Sequence, residues 1–163
     1  MGTRDPVGAS VPHIDANQGK FSQACTVLLT ALAFLFQQPI IVAVTALILA
    51  LSALVPEISP YSLVYKGIVV PLGLLKPRVV EDDPGPHRFA NGVGAAFLVA
   101  SAVVLFFTPL KTLGLVLDLI VFVLATINLT VGFCLGCFVY YHLGRLGWLP
   151  RVRYEGGFHW RGV

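Results

Sequence analysis

The chain has 163 residues, 56% of them hydrophobic and only 12% charged, with a mean hydropathy of +0.83. Soluble domains carry about 25% charged residues, so this composition excludes a disordered chain, a nucleic-acid binder with a basic face and most soluble enzymes. The net charge of +3 matters only through its placement: the charges cluster, and the stretches between them are those of an integral membrane protein.

Residues 1–20 mix acidic and basic side chains and read as a cytoplasmic segment. No small-residue cleavage site follows the first apolar stretch, so that stretch is expected to be retained as a helix rather than removed as a signal peptide. Four apolar stretches, 21–37, 39–55, 89–110 and 113–141, approach the roughly 20 residues that cross about 30 Å of hydrocarbon. The first two are joined only by Gln37-Gln38-Pro39 and form a tight helical hairpin. A further apolar run, 58–75, holds Pro60, Lys66 and Pro71; those breakers predict a surface-lying or re-entrant segment. The last span is longer than the membrane is thick, at about 1.5 Å per residue, so it must tilt or emerge at its end.

These assignments predict an all-α fold, a four-helix transmembrane bundle over 21–143, followed by a cytoplasmic tail over 144–163. In that tail Arg151, Arg153, Tyr154, Trp160 and Arg161 suit an interface belt or a docking strip for a soluble partner. Ten basic residues (Arg4, Lys20, Lys66, Lys76, Arg78, Arg88, Arg145, Arg151, Arg153, Arg161) fall on the side shared by the two ends and the middle loop, against Lys111 alone on the other. The positive-inside bias therefore puts both termini in the cytoplasm, with the protein multi-pass in the inner (plasma) membrane.

The chain also repeats itself. Asp15, Phe21 and Gln23 recur as Asp83, Phe89 and Asn91, each set leading into a span from the cytoplasmic side, with Tyr65 and Tyr140 as weaker echoes. Two hairpins related by a pseudo-twofold axis along the membrane normal are the simplest reading; coincidence is the alternative.

These lead-ins, the loop Leu72-Gly-Leu-Leu-Lys-Pro-Arg78, the run from Glu81 to Asn91, and Gly132-Phe-Cys134-Leu-Gly-Cys137 come in the order seen in a bacterial membrane family. Over residues 13–143 the chain resembles the domain-of-unknown-function 4395 family. The resemblance implies a small four-helix membrane protein with a Cys-x-x-Cys near the end of its last helix. It implies no activity, and Cys25 is not tied to the family pattern.

Cys134 and Cys137 are the sharpest chemical feature. Such a pair can cycle between dithiol and disulfide, its first thiol often having a depressed pKa, and a reducing cytosol leaves room for a transient disulfide. Inside a helix their Cβ atoms would stand about 5–6 Å apart, whereas a disulfide needs about 3.5–4.5 Å. The last turn is therefore expected to deform, eased by Gly132 and Gly136. Plain packing of small apolar thiols competes with redox or sulfur-transfer chemistry. Cys25 near the same boundary is a weaker candidate for a third carrier. Three thiols with His87 or His142 would make a zinc site, the minor reading.

Asp118 is the one acid within a span; it is read as hydrated near the outer surface or paired with Lys111, though intramembrane acids are often functional. Asn128 and Thr130 are read as interhelical hydrogen-bond partners. His13, His87, His142 and His159 lie outside the membrane centre, so no haem is expected. His87-Arg88 would lower the pKa of an adjacent thiolate or meet lipid head groups.

Two function classes remain. One is a thiol-disulfide or sulfur-transfer relay between a cytosolic thioredoxin-like or rhodanese-like protein and something in the bilayer, with Cys134 attacking and Cys137 resolving. The other is a non-catalytic accessory or scaffold subunit among other membrane subunits. A transporter fits poorly, and neither a cofactor nor nucleic acid is expected.

Overall fold

The computed structural model describes residues 13–81 and 83–148. Strand β1, His13–Asp15, hands directly to helix α1, Ala16–Phe36. Asp15 is extended and its carboxylate accepts the Asn17 N–H at 3.0 Å, an N-cap that satisfies one of the donors a helix start leaves open. The same oxygen accepts the Arg78 N–H at 3.0 Å, tying the helix start to the middle loop. Gln37 ends α1 in the left-handed region at φ 52°, and Pro39 opens α2, Pro39–Leu54. Proline suits a first helical turn because its missing N–H would be unpaired there anyway.

A short helix α3, Pro60–Val64, runs on into a π-helical turn over Tyr65–Val69. Strand β2, Val79–Glu81, pairs antiparallel with β1, His13 facing Glu81 and Asp15 facing Val79. The all-α expectation therefore lacks this two-stranded ribbon, formed by segments too short to carry a periodic signal. Helix α4, Pro84–Phe107, is capped by Asp83, which accepts the Gly85 N–H at 2.9 Å. Helix α5 is Lys111–Val131 and helix α6 is Leu135–Arg145.

Helices α1, α4 and α5 are long and apolar enough to cross a membrane; α2 is apolar but has 16 residues. At 1.5 Å per residue α2 spans about 24 Å, somewhat less than a full hydrocarbon core. Large side chains such as Leu35, Leu54 and Phe107 point outward, Phe107 being 82% exposed. A soluble monomer does not tolerate such a surface; lipid does. This is a helical membrane protein.

The interior is built from small residues. Ala33, Ala46, Ala95 and Ala102 are buried with Val42, Leu49, Leu98 and Val121 where α2 packs on α4 and α1 and α4 pack on α5. Small side chains let helix axes approach closely, which in lipid replaces the hydrophobic drive. The Ser101 hydroxyl donates to the Gly114 carbonyl at 2.6 Å, joining α4 to α5. Buried Thr30 and Thr45 instead donate to carbonyls one turn back on their own helices, which satisfies a hydroxyl where no water is present.

The sequence predicts one helix over 113–141. The structure divides it. Gly132 adopts φ 72°, and its N–H bonds the Asn128 carbonyl to close α5, the glycine-terminated end that side chains with a Cβ resist. The chain restarts as α6, which lies against α4. The run 58–75, expected to lie on the surface or re-enter, holds α3 and the π-helical turn, with Tyr61, Ser62 and Tyr65 buried against the bundle.

Asp118 corrects a second expectation. It is 0% exposed, neither carboxylate oxygen has a hydrogen-bond partner, and no pairing with Lys111 occurs among the described residues. A buried polar group left without partners costs stability outright. Asp118→Val, close in volume, should therefore stabilise the protein by about 1–3 kcal/mol, read as a higher thermal midpoint in detergent. A lower midpoint would show that the carboxylate has a structural partner after all.

Candidate functional site

The break at Gly132 sets the chemistry at the head of α6. Cys134 is not inside a helix. It is the N-cap of α6, with extended backbone (φ −96°), and its sulfur accepts the Cys137 N–H at 3.3 Å. Two thiols expected to need a deformed last turn sit instead where no helical unwinding is required, because the N-cap residue lies outside helical φ/ψ. The Cys134 pKa falls from the ordinary value near 9 to about 7. The hydrogen bond from the Cys137 thiol is the largest cause. Burial opposes it, and the N–H groups of Cys137 and Gly136 and the nearby His87 add to the lowering. An 11-residue helix also presents the positive end of its dipole here.

His87 comes from the first turn of α4, which Asp83 caps, and its Nδ1 lies 4.0 Å from the Cys137 sulfur. The two helices meet closely. A Cβ placed on Gly136 would stand 2.5 Å from Ala90 Cβ and 2.7 Å from Ala90 Cα, so only glycine lets α6 seat against α4. The Phe89 and Tyr140 rings, 5.5 Å apart, close the same contact, as the Phe21 and Tyr65 rings do at 5.7 Å on the other half. Burial, with Asp15 as the smaller cause, pushes the Tyr65 phenol up to about 12.

Two clefts lie in this region, one lined by His87 and the other by Cys134. One, of about 590 Å³, carries the charged groups; Asp15, Lys20, Lys66, His87 and Arg88 are among the residues lining it. The other, of about 450 Å³, runs between α4 and α5, where Phe89, Val93, Phe97, Ile120 and Leu124 line it with Cys134. Three amides, Gln23, Asn91 and Asn128, line both. Gln23 and Asn91 are the amides of the repeated Phe-x-amide motif, which had signalled symmetry but not a shared wall. Asn128, expected as interhelical glue, makes no side-chain hydrogen bond among the described residues and faces the clefts. Thr130 is no glue either: it is exposed and donates to the Thr126 carbonyl.

The other candidates lie elsewhere. Cys25 is half-buried in α1, packed against the hydrophobic core, and lines neither of these clefts. Among the described residues no group of three His, Cys, Asp or Glu is close enough to hold a metal ion, so the three thiols with a histidine do not assemble. His142 meets Phe138 edge to face, ring centroids 4.4 Å apart. Arg88 donates to the Ala53 and Leu54 carbonyls at 2.8 Å each, capping α2 rather than reaching lipid head groups. Arg4, His159 and the tail over 151–161 lie outside the described residues.

The chain belongs to the family described as a domain of unknown function (DUF4395), which it matches over residues 14–145. No curated protein and no solved structure matches it.

The geometry fixes two outcomes for Cys134. Site-resolved alkylation across pH should titrate near 7 rather than 9, and His87→Ala should move that midpoint upward by removing one of the lowering groups. Gly136→Ala must push α6 off Ala90, a cost of about 1–3 kcal/mol for overpacking, and should raise the same midpoint as the Cys134 cap loosens. An unchanged profile in both variants would detach the thiol from this environment.

Proposed function

We propose that this protein is a membrane-embedded dithiol–disulfide relay working at the cytoplasmic boundary of the plasma membrane. The observation that carries it is Cys134 at the N-cap of α6, its sulfur receiving the Cys137 thiol and N–H beside His87. This arrangement stabilises a thiolate and makes Cys134 a good leaving group, since a lower thiol pKa favours departure.

Burial then divides the labour. Cys134 is 4% exposed and Cys137 is more accessible. In the oxidised pair, a thiolate of a cytosolic thioredoxin-like dithiol protein attacks the Cys137 sulfur, and the Cys134 thiolate leaves. The partner's second thiol then attacks the sulfur of its own cysteine in the mixed disulfide. Cys137 leaves as thiolate and takes a proton. The partner dithiol has become a disulfide, and the Cys134–Cys137 disulfide a dithiol. Toward a protein partner this reverses the order expected from sequence, because the buried sulfur is the one that cannot be reached.

The bundle is proposed to cross the membrane four times, with both termini cytoplasmic. Lys20, Lys66 and Arg88 gather around one cleft while Lys111 begins α5, which supports the positive-inside orientation. A pseudo-twofold along the membrane normal is proposed to relate the halves. Two capping aspartates, two Phe–Tyr contacts and the ribbon support it: Asp83 follows Asp15 by 68 residues (83 − 15), and Glu81 faces His13 at that same offset (81 − 13).

Maleimide labelling in membranes, before and after diamide, tests the relay. Cys134 and Cys137 should become protected together on oxidation, and protection should vanish in Cys134→Ser and in Cys137→Ser but persist in Cys25→Ser. Labelling that oxidation leaves unchanged would favour a non-catalytic scaffold subunit. Reporters fused at Lys111 and at residue 163 should report opposite sides; agreement between them would overturn the topology.

A further inference from the structure

A relay that takes electrons from a soluble thiol protein must pass them on, and the placement of Cys134 says to what. Cys134 is among the residues lining a cleft of about 450 Å³, within the usual size of small-molecule sites. The walls are the apolar side chains Val93, Phe97, Ile120 and Leu124, all partly exposed on the outer faces of α4 and α5. The cleft therefore opens to hydrocarbon rather than to water. At its thiol end stand the amides Gln23, Asn91 and Asn128, whose side chains make no hydrogen bond among the described residues. An occupant must dissolve in lipid, present polar acceptors at one end only, and take two electrons beside a thiol pair. Nicotinamides and flavins carry phosphates that this lining cannot accept. A quinone meets all three conditions, its carbonyl oxygens matching amide N–H donors and its chain matching the walls.

We infer that this cleft binds the ring of a lipid-soluble quinone, which the Cys134–Cys137 dithiol reduces to the hydroquinone; the inference rests on the relay reading. The Cys134 thiolate adds to a ring carbon, forming a C–S bond and sending an electron pair onto a carbonyl oxygen, which takes a proton. The amide donors stabilise that oxygen as charge develops. Cys137 then attacks the Cys134 sulfur, losing its proton to His87. The S–S bond forms, the C–S bond breaks, and its electron pair stays with the ring, whose second oxygen is protonated through His87. Two electrons and two protons leave the dithiol, and disulfide and hydroquinone are the products. His87 lines the charged cleft that shares the three amides, so protons exchange with water on that side while the ring stays in lipid.

The test uses the full chain, reduced and reconstituted in nanodiscs, with decylubiquinone as oxidant. Quinone absorbance and free thiols are followed together, and the soluble disulfide dithiodipyridine serves as a second oxidant. One quinone should disappear for each Cys134–Cys137 pair closed. Ile120→Trp and Leu124→Trp, which fill the cleft, should slow quinone reduction at least tenfold, while Val116→Trp on the lipid face outside the cleft should leave it unchanged. If dithiodipyridine oxidises the wild-type pair and decylubiquinone does not, the quinone inference is overturned and the relay survives. The quinone inference also falls if the filled cleft reduces quinone at the wild-type rate, or if native mass spectrometry finds a phospholipid that quinone does not displace. If neither oxidant closes the pair, both readings fall.

Discussion

The contact between Gly136 and Ala90 governs how the Cys-x-x-Cys end of this molecule is arranged. A hydrogen atom in place of a side chain brings α6 against α4 at a separation no Cβ would allow. That seating puts Cys137 beside His87, lays Tyr140 on Phe89, and makes Cys134 a wall of the apolar cleft. It depends in turn on Gly132, whose left-handed backbone ends α5 and lets the chain turn. A helix continued through that point would carry both cysteines along its own axis, paired by intrahelical geometry and without an N-terminus to stabilise a thiolate.

The interior follows the rule that lipid imposes on polar groups. Backbone amides are satisfied within helices, and hydroxyls turn back to carbonyls one turn earlier. Against that frugal background the exceptions mark the places of interest. Three amides stand between a charged and an apolar cleft, and Asp118 lies buried with two unpartnered oxygens. The amides are N–H donors facing space in the cleft that Cys134 also lines, the use proposed for them above. Asp118 has none that the surrounding geometry reveals.

The two halves share a plan of two apolar helices followed by a short one, each begun by a capping aspartate and closed by a Phe–Tyr contact. The Cys-x-x-Cys lies in only one of them. The second half's short helix is capped by Cys134, whose sulfur accepts an N–H, whereas the cap residue of the first half's, Ser59, makes no side-chain capping bond. On the proposed repeat, the shared plan supplies the scaffold, and departure from it supplies the reactive group.

Composition and apolar run length were enough to read the membrane setting, because spanning lipid demands long uninterrupted apolar helices. The paired Asp and Phe lead-ins and the Cys-x-x-Cys were equally legible, since each is a local pattern of residue types. What the sequence could not supply were the break at Gly132, the capping of α2 by Arg88, the choice of Cys137 as the thiol beside which His87 stands, and the isolation of Asp118. Each depends on which residue lies across an interface tens of positions away. A glycine reads alike whether it sits mid-helix, ends one, or admits a neighbouring backbone, and only the structure shows Gly132 to be a terminus and Gly136 a contact.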